Sequence, residues 1–171
     1  MTVKTGASFA RGKSKQDYAT PPHFIRAVKR KFGIEEFAID LAADAKNAKA
    51  AAWYGVEHNS LVRPWVWIAG DAWLNPPFGK ITPWARKCDD TLAGWGRCSV
   101  TRRIFLLAPA AVGSNWHRDH LHGRAAVYFL NGRIPFNPRR PKWGYPKDCM
   151  LAVYNEPPKY EVWRWTEDAG P

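Results

Sequence analysis

Apolar residues recur at helical spacing near the start of the chain. Phe24, Val28 and Phe32 lie four residues apart, which predicts one buried face of a helix. We expect this helix to begin at Thr20-Pro21-Pro22, because Thr20 can cap it and proline is tolerated in the first turn. We expect it to end at Gly33, since glycine commonly follows the last turn of a helix.

Two further helices are expected from similar patterns. One begins at Thr82-Pro83 and carries Trp84, Cys88, Leu92 and Trp95 on one face. The other is an alanine-rich segment, about residues 45–53, for which Asp44 is a candidate cap.

Short apolar runs predict the strands of a sheet. The runs are 37–41 (FAIDL), 72–75 (AWLN), 104–108 (IFLLA), 125–130 (AAVYFL), 149–154 (CMLAVY) and 160–165 (YEVWRW). The fully apolar run 104–108 predicts a central strand. Because strands alternate with helices over the first two thirds of the chain, we expect a layered α/β fold. No internal repeat or composition break divides residues 17–171, which favours one domain.

Charge and aromatic content point to a polyanion partner. The chain of 171 residues has 26 basic and 15 acidic side chains, a net charge of +11, and ten tryptophans. No apolar run reaches the roughly 20 residues of a membrane span, so no membrane partner is expected. The N-terminus lacks the apolar segment of a secretory signal, and the three cysteines form no CxxC pair. These features predict a cytoplasmic protein and leave its oligomeric state undetermined.

Two segments concentrate the positive charge. Residues 1–16 contain four basic and no acidic side chains, which predicts a flexible basic arm. Segment 131–148 is a proline-containing loop with interleaved basic and aromatic residues, including Arg133, Arg139, Arg140, Lys142 and Trp143. We hypothesise that this loop binds DNA, since arginine and lysine contact phosphates and arginine reads guanine edges. The alternative is a structural loop whose charges are solvated.

The stretch Asn75-Pro76-Pro77-Phe78 carries the clearest chemistry. An exocyclic amine on a base is a poor nucleophile, because its lone pair is delocalised into the ring. Two acceptors on its hydrogens, the Asn75 side-chain oxygen and the Pro76 carbonyl, favour a pyramidal nitrogen. The prolines stiffen the turn, and Phe78 can stack on a base. A turn after a strand is where open α/β sheets bind ligands, although it is also where an ordinary Pro-Pro turn occurs.

Several stretches in this order resemble the phage-type (Dam-like) DNA N6-adenine methyltransferase family, over roughly residues 15–155. They are Asp17 with Thr20-Pro21, FAIDLAAD at 37–44, Asn59-Ser60-Leu61, WLNPPFG at 73–79, LLAP at 106–109 and GRIPF at 132–136. The resemblance implies a Rossmann-like methyltransferase fold, and the length of 171 residues predicts a compact form without a separate target-recognition domain. It implies methyl transfer from S-adenosylmethionine to the exocyclic amine of a flipped adenine in double-stranded DNA.

The resemblance also implies which residues bind the cofactor. Thr20 and Pro21 match the family's N-terminal cofactor motif, and Asp40, Leu41 and Ala42 match its first-strand cofactor motif. Residues 75–78 match its catalytic motif.

Other candidates come from the chemistry of the cofactor. Asp40 or Asp44 can neighbour its sulfonium or ammonium group, and Asp17 and Tyr18 can close over it. Asn59 stands where methyltransferases of this kind commonly have an acidic residue. Its amide oxygen can still accept a hydrogen bond from the cofactor's adenine. DLAAD replaces the usual glycine-rich loop, and Phe78 replaces the commoner tyrosine.

Alternative functions follow from the same residues. A methyltransferase could act on RNA or on a protein glutamine amide, since these nitrogens are also conjugated. The missing glycine-rich loop is compatible with a non-catalytic DNA-binding protein on a decayed methyltransferase scaffold. His117, His120 and His122 are spaced as metal ligands can be, but no CxxC pair or acidic cluster accompanies them. We therefore expect no metal and interpret them as part of a polar, exposed segment near the target base or phosphates.

The basic-loop hypothesis predicts that Arg139→Ala combined with Arg140→Ala weakens DNA binding and flattens its salt dependence, because two phosphate contacts are lost. Binding curves at several salt concentrations measure both effects. Unchanged affinity at every salt concentration would defeat the hypothesis.

Overall fold

The structure, a computed structural model, describes residues 19–170 apart from 67, 95–100 and 137–143. The predicted arm 1–16 and Trp95 lie outside these residues. The helices are α1 (Pro22–Phe32), α2 (Ile81–Gly94), α3 (Asn115–His120) and α4 (Trp165–Asp168). The strands are β1 (Ile39–Asp40), β2 (Gly70–Leu74), β3 (Thr101–Pro109), β4 (Ala125–Leu130), β5 (Cys149–Tyr154) and β6 (Lys159–Trp163). Short 3-10 helices cover Val56–His58, Ser60–Val62 and Phe78–Lys80.

The strands form one mixed sheet in the order β1-β2-β3-β5-β4-β6. All strands run in one direction except β5, which is antiparallel to both of its neighbours. The predicted α/β class is therefore confirmed, and the runs at 104–108, 125–130 and 149–154 lie within β3, β4 and β5 as expected. The run 37–41 contributes a strand of only two residues, β1. The last strand ends at Trp163, and Trp165 begins α4 instead of extending it.

Apolar side chains fill the space on both faces of the sheet. Phe105 and Leu107 of β3 share a core cluster with residues of α1 and α4. Ile104, Leu106 and Ala108 point to the opposite face, where they share a cluster with residues of α2 and α3. Burial on both faces explains why β3 is a continuous apolar run. Among the residues described, no helix combines the length and apolarity needed to cross a bilayer.

Helix α1 has the predicted buried face but not the predicted N-terminal cap. Phe24 and Val28 are fully buried, and Gly33 ends the helix in the left-handed conformation at φ 64°. The N-cap position is Pro21, however, and no side chain caps the helix. The prediction that Thr20 caps α1 is wrong, because its hydroxyl oxygen accepts a hydrogen bond from Asn75, in the turn after β2.

The alanine-rich helix predicted at 45–53 is also wrong. Residues 45–47 form a turn, in which the Asp44 carboxylate accepts hydrogen bonds from the backbone N–H groups of Lys46 (2.7 Å) and Asn47 (3.1 Å). Beyond the turn, Ala50 and Trp53 form isolated parallel bridges with Phe37 and Asp40. Pairing beside β1 thus replaces the helical hydrogen bonds that alanine content alone would favour.

The conformation at Gly33 predicts a stability effect. Gly33→Ala should lower the free energy of unfolding by about 1 kcal/mol and Tm by about 2–4 °C, because alanine is strained at positive φ. An added Cβ meets nothing within 4 Å at either Gly33 or Gly113, and Gly113 has no positive φ. Gly113→Ala is therefore the matched control in thermal and denaturant unfolding, and equal stability of the two variants would contradict the assignment.

Candidate active site

A cavity of about 420 Å³ lies at the carboxyl ends of β1 and β2. Because these strands are parallel, the segments that leave them emerge at the same edge of the sheet. The cavity wall is completed by the residues before α1, by the segment 54–61 and by Trp84 of α2. Five separate stretches of chain thus converge on one concave site.

The cavity brings together much of the set predicted from sequence. The predicted residues that line it are Thr20, Asp40, Ala42, Asp44, Asn59, Asn75 and Pro77. Leu41 is fully buried in the core cluster that contains α2, and Pro21 and Pro76 are buried outside the lining. Asp17 and Tyr18 lie outside the described residues.

Among the acidic residues that line the cavity, Asp40 has the pKa that is shifted most from its ordinary value. It is only 2% exposed, and its carboxylate accepts hydrogen bonds from the backbone N–H groups of Ala42 (3.2 Å) and Lys49 (3.0 Å). Burial raises the pKa of Asp40 to about 6, despite these two bonds and the nearby Lys49 charge. Burial also lowers the pKa of Lys49. A cationic ligand beside Asp40 would favour its ionised form, since an opposite charge offsets desolvation.

Asn75 follows the last residue of β2 and is half-buried. Its side-chain Nδ2 donates a hydrogen bond to the Thr20 hydroxyl oxygen at 3.0 Å. This bond joins the turn after β2 to the segment before α1, across 55 positions of sequence. Both residues line the cavity, so the amide is held at its wall.

Phe78 does not line this cavity and packs instead in an aromatic cluster. Its ring centroid lies 6.0 Å from that of Phe136 and 5.5 Å from that of Tyr145, with both pairs nearly perpendicular. The Tyr145 backbone N–H also donates to the Ile134 carbonyl at 2.8 Å. The two described ends of the segment 131–148 therefore meet at Phe78, next to Asn75-Pro76-Pro77.

The predicted DNA-binding residues are only partly described. Arg133 is exposed, and its Nε lies 3.9 Å from the Asp148 carboxylate. Arg139, Arg140, Lys142 and Trp143 lie outside the described residues.

Sequence reasoning gave no site role to several residues that line the cavity, although Ser60 and Trp73 lie within the motifs quoted above: Lys49, Tyr54, Glu57, Ser60 and Trp73. The Ser60 hydroxyl and the Trp73 indole N–H are buried without a hydrogen-bond partner among the described residues. An unpaired buried group of this kind costs about 1–3 kcal/mol, and at a cavity wall a bound ligand could supply the missing partner.

Glu57 supplies an acidic side chain near the position where Asn59 replaces the expected one. The Glu57 carboxylate lies against Gly55, where an added Cβ would be 2.5 Å from both of its oxygens, and its Oε1 is 3.2 Å from His58 Nδ1. The sequence could have indicated Glu57 as a cavity residue, because it lies only two residues before Asn59.

His120 and His122 have different hydrogen-bond partners, whereas the buried Nε2 of His117 has none among the described residues. His120 Nδ1 lies 3.1 Å from the Asp89 carboxylate, and His122 Nδ1 lies 2.8 Å from the Tyr160 hydroxyl. His117 is 3% exposed, which corrects the expectation that this segment is exposed throughout. In the described part of the chain, no three potential metal ligands of the His, Cys, Asp or Glu type come together.

Known proteins support the motif resemblance. A family model described as DNA N-6-adenine-methyltransferase (Dam) matches residues 8–159, which include the cavity segments and the turn after β2. An Escherichia coli (strain K12) protein named "Putative methyltransferase YfdM" is 35% identical over 71 residues, covering 39% of this chain and 71% of that protein. No solved structure matches the chain. The extent of the family match confirms the resemblance: the chain belongs to the DNA N-6-adenine-methyltransferase (Dam) family.

Proposed function

We propose that this protein transfers a methyl group from S-adenosylmethionine to the N6 amine of an adenine flipped out of double-stranded DNA. The observation that carries the proposal is the single cavity that contains both Asp40 and Asn75. Parallel pairing supports it, because Asp40 is in register with Trp73, two residues before Asn75. The mostly parallel sheet, covered on both faces and open to a cavity at its carboxyl edge, supports a Rossmann-like arrangement.

The cavity fits a small cationic cofactor. Its volume of about 420 Å³ lies within the usual range of small-molecule sites, about 300–1,000 Å³. Asp40, Asp44 and Glu57 provide negative charge at the wall, and Asp40 is buried enough for a neighbouring cation to matter. Ala42 and Asn59 complete the set that would hold the cofactor. When bound, S-adenosylmethionine supplies a methyl group on a positively charged sulfur, a strong electrophile.

The turn after β2 prepares the amine. The Asn75 side-chain oxygen and the Pro76 carbonyl accept hydrogen bonds from its two N–H groups, which frees the nitrogen lone pair for attack. The amine loses its proton only after the new bond forms, so the site needs no strong base. Two consecutive prolines restrict the backbone and keep both acceptors in place.

The aromatic cluster supports a DNA substrate. In this proposal Phe78 stacks on the flipped base, and its half-buried ring is held by Phe136 and Tyr145 at the ends of the segment 131–148. Arg133 in that segment is exposed, and the chain carries a net charge of +11. A base taken out of the stack would therefore meet the catalytic turn beside basic side chains.

The proposal predicts that Asn75→Ala lowers methyl transfer about 100-fold or more, because one acceptor for the reacting amine is lost. Labelled cofactor with DNA, RNA and a glutamine-containing peptide, followed by product analysis, measures rate and target together. Asn115→Ala, which removes an exposed asparagine on α3, is the matched control and should leave the rate unchanged. N6-methyladenine at wild-type rate from Asn75→Ala would contradict the assignment.

The raised pKa of Asp40 predicts proton-linked cofactor binding. A protonated Asp40 must ionise to attract a cation, so affinity should rise with pH through about 6 and level off above it. Binding should be about tenfold weaker at pH 5 than at pH 7 when measured by calorimetry.

Asp40→Asn should weaken binding at pH 7 and remove this pH dependence. Asp90→Asn, at an exposed position of α2, should retain it. A pH-independent affinity in the wild-type protein would show that the carboxylate of Asp40 does not neighbour the cation.

A further inference from the structure

We infer that the Thr20 hydroxyl positions the Asn75 carboxamide for the methyl-transfer step. This inference rests on the proposed function and adds a positioning residue to it. The motif resemblance implied that Thr20 binds the cofactor. In the structure, its hydroxyl oxygen accepts a hydrogen bond of 3.0 Å from Asn75 Nδ2.

The Thr20 hydroxyl is not used by its own helix. Thr20 is 2% exposed and immediately precedes Pro21, the N-cap residue of α1, where no side-chain capping bond is made. A Thr or Ser before a helix ordinarily gives its oxygen to the backbone N–H groups of the first turn. Here the Pro21 carbonyl accepts from the backbone N–H groups of Phe24 and Ile25, and the Thr20 oxygen accepts from Asn75.

Both partners are attached to the same packed core. Phe24, in the first turn of α1, contacts Trp73 of β2 edge-on, with ring centroids 6.3 Å apart. Trp73 is fully buried and lies two residues before Asn75. Thr20 is stiff as well, because its side chain is β-branched and the following proline restricts its backbone. The bond therefore joins two rigid segments and is well placed to define where the amide lies.

The position of the Asn75 amide matters chemically because the group is planar, with its NH₂ and its oxygen on opposite sides. With Nδ2 directed at Thr20, the side-chain oxygen Oδ1 lies on the opposite side of the same plane. Only the oxygen can accept a hydrogen bond from a substrate amine; a rotated amide would present N–H groups to another donor. The Thr20 hydroxyl can donate or accept, so this contact fixes where the amide lies, and in the orientation observed it leaves Oδ1 on the side away from Thr20.

The two interpretations of Thr20 differ in what a substitution changes. Thr20 also lines the cavity, so a direct cofactor contact would make its loss weaken cofactor binding. A positioning contact would instead slow the chemical step, because misplacement of a reacting group by about 1 Å can cost about 100-fold in rate.

The test compares Thr20→Val, which has nearly the same shape without the hydroxyl, with Thr20→Ser, which keeps the hydroxyl. We expect Thr20→Val to lower kcat about 10- to 100-fold while the cofactor Kd stays within about twofold. Thr20→Ser should restore kcat to within about threefold of wild type, as expected if the hydroxyl is the group that matters. A cofactor Kd raised about tenfold with kcat unchanged would overturn the inference, and so would no change in either quantity.

A second measurement separates this inference from the proposed function. The Asn75 side-chain NH₂ signal, assigned by its loss in Asn75→Ala, can be followed by nitrogen-15 NMR in folded wild-type and variant proteins. Thr20→Val should shift this signal and speed its hydrogen exchange, and Thr20→Ser should retain both properties. If the wild-type protein methylates none of the substrates, the proposed function fails, and the NMR comparison still decides the contact. An Asn75 signal unchanged by Thr20→Val overturns the inference in either case.

Discussion

The parallel pairing of β1 with β2 is the constraint on which the candidate site depends. The Leu41 backbone N–H donates to the Trp73 carbonyl at 2.8 Å, and Asp40 is in register with Trp73. Both segments therefore leave the sheet at the same edge, one carrying Asp40 and the other Asn75. An antiparallel β1 would leave the sheet at the opposite edge, away from the turn after β2.

The short strand β1 holds its position because neighbouring backbone and the core support it. Ala38 N–H donates to the Asp71 carbonyl at 2.8 Å, and Phe37 and Asp40 also form bridges on their other side. Burial of this region is what raises the pKa of Asp40, so the packing that places the carboxyl group also makes its ionisation costly. The same carboxyl group would be stabilised by a cation in the cavity. Core packing and the proposed cationic ligand thus have opposite effects on the ionisation of Asp40.

Local sequence patterns correctly predicted the strands that are most deeply buried in the sheet. The apolar runs of β3, β4 and β5 are continuous because these strands are covered on both faces. The turn Asn75-Pro76-Pro77-Phe78 was predicted because it follows a strand, because its prolines restrict the backbone, and because its residue types match the family's catalytic motif. The predicted helix at 45–53 failed because alanine content reports only local preference, whereas Ala50 pairs with Phe37 in the folded chain.

The sequence by itself determined the α/β class, the Pro-Pro turn after β2 and the family, since these depend on residue order and local spacing. Tertiary structure alone decided which candidates meet: it brought Asp44, Asn59 and Asn75 to one cavity and left Leu41 in the core. It also gave the Thr20 hydroxyl to Asn75 instead of to its own helix. Contacts across 55 residues depend on how β2 and α1 pack, and no local pattern records that packing.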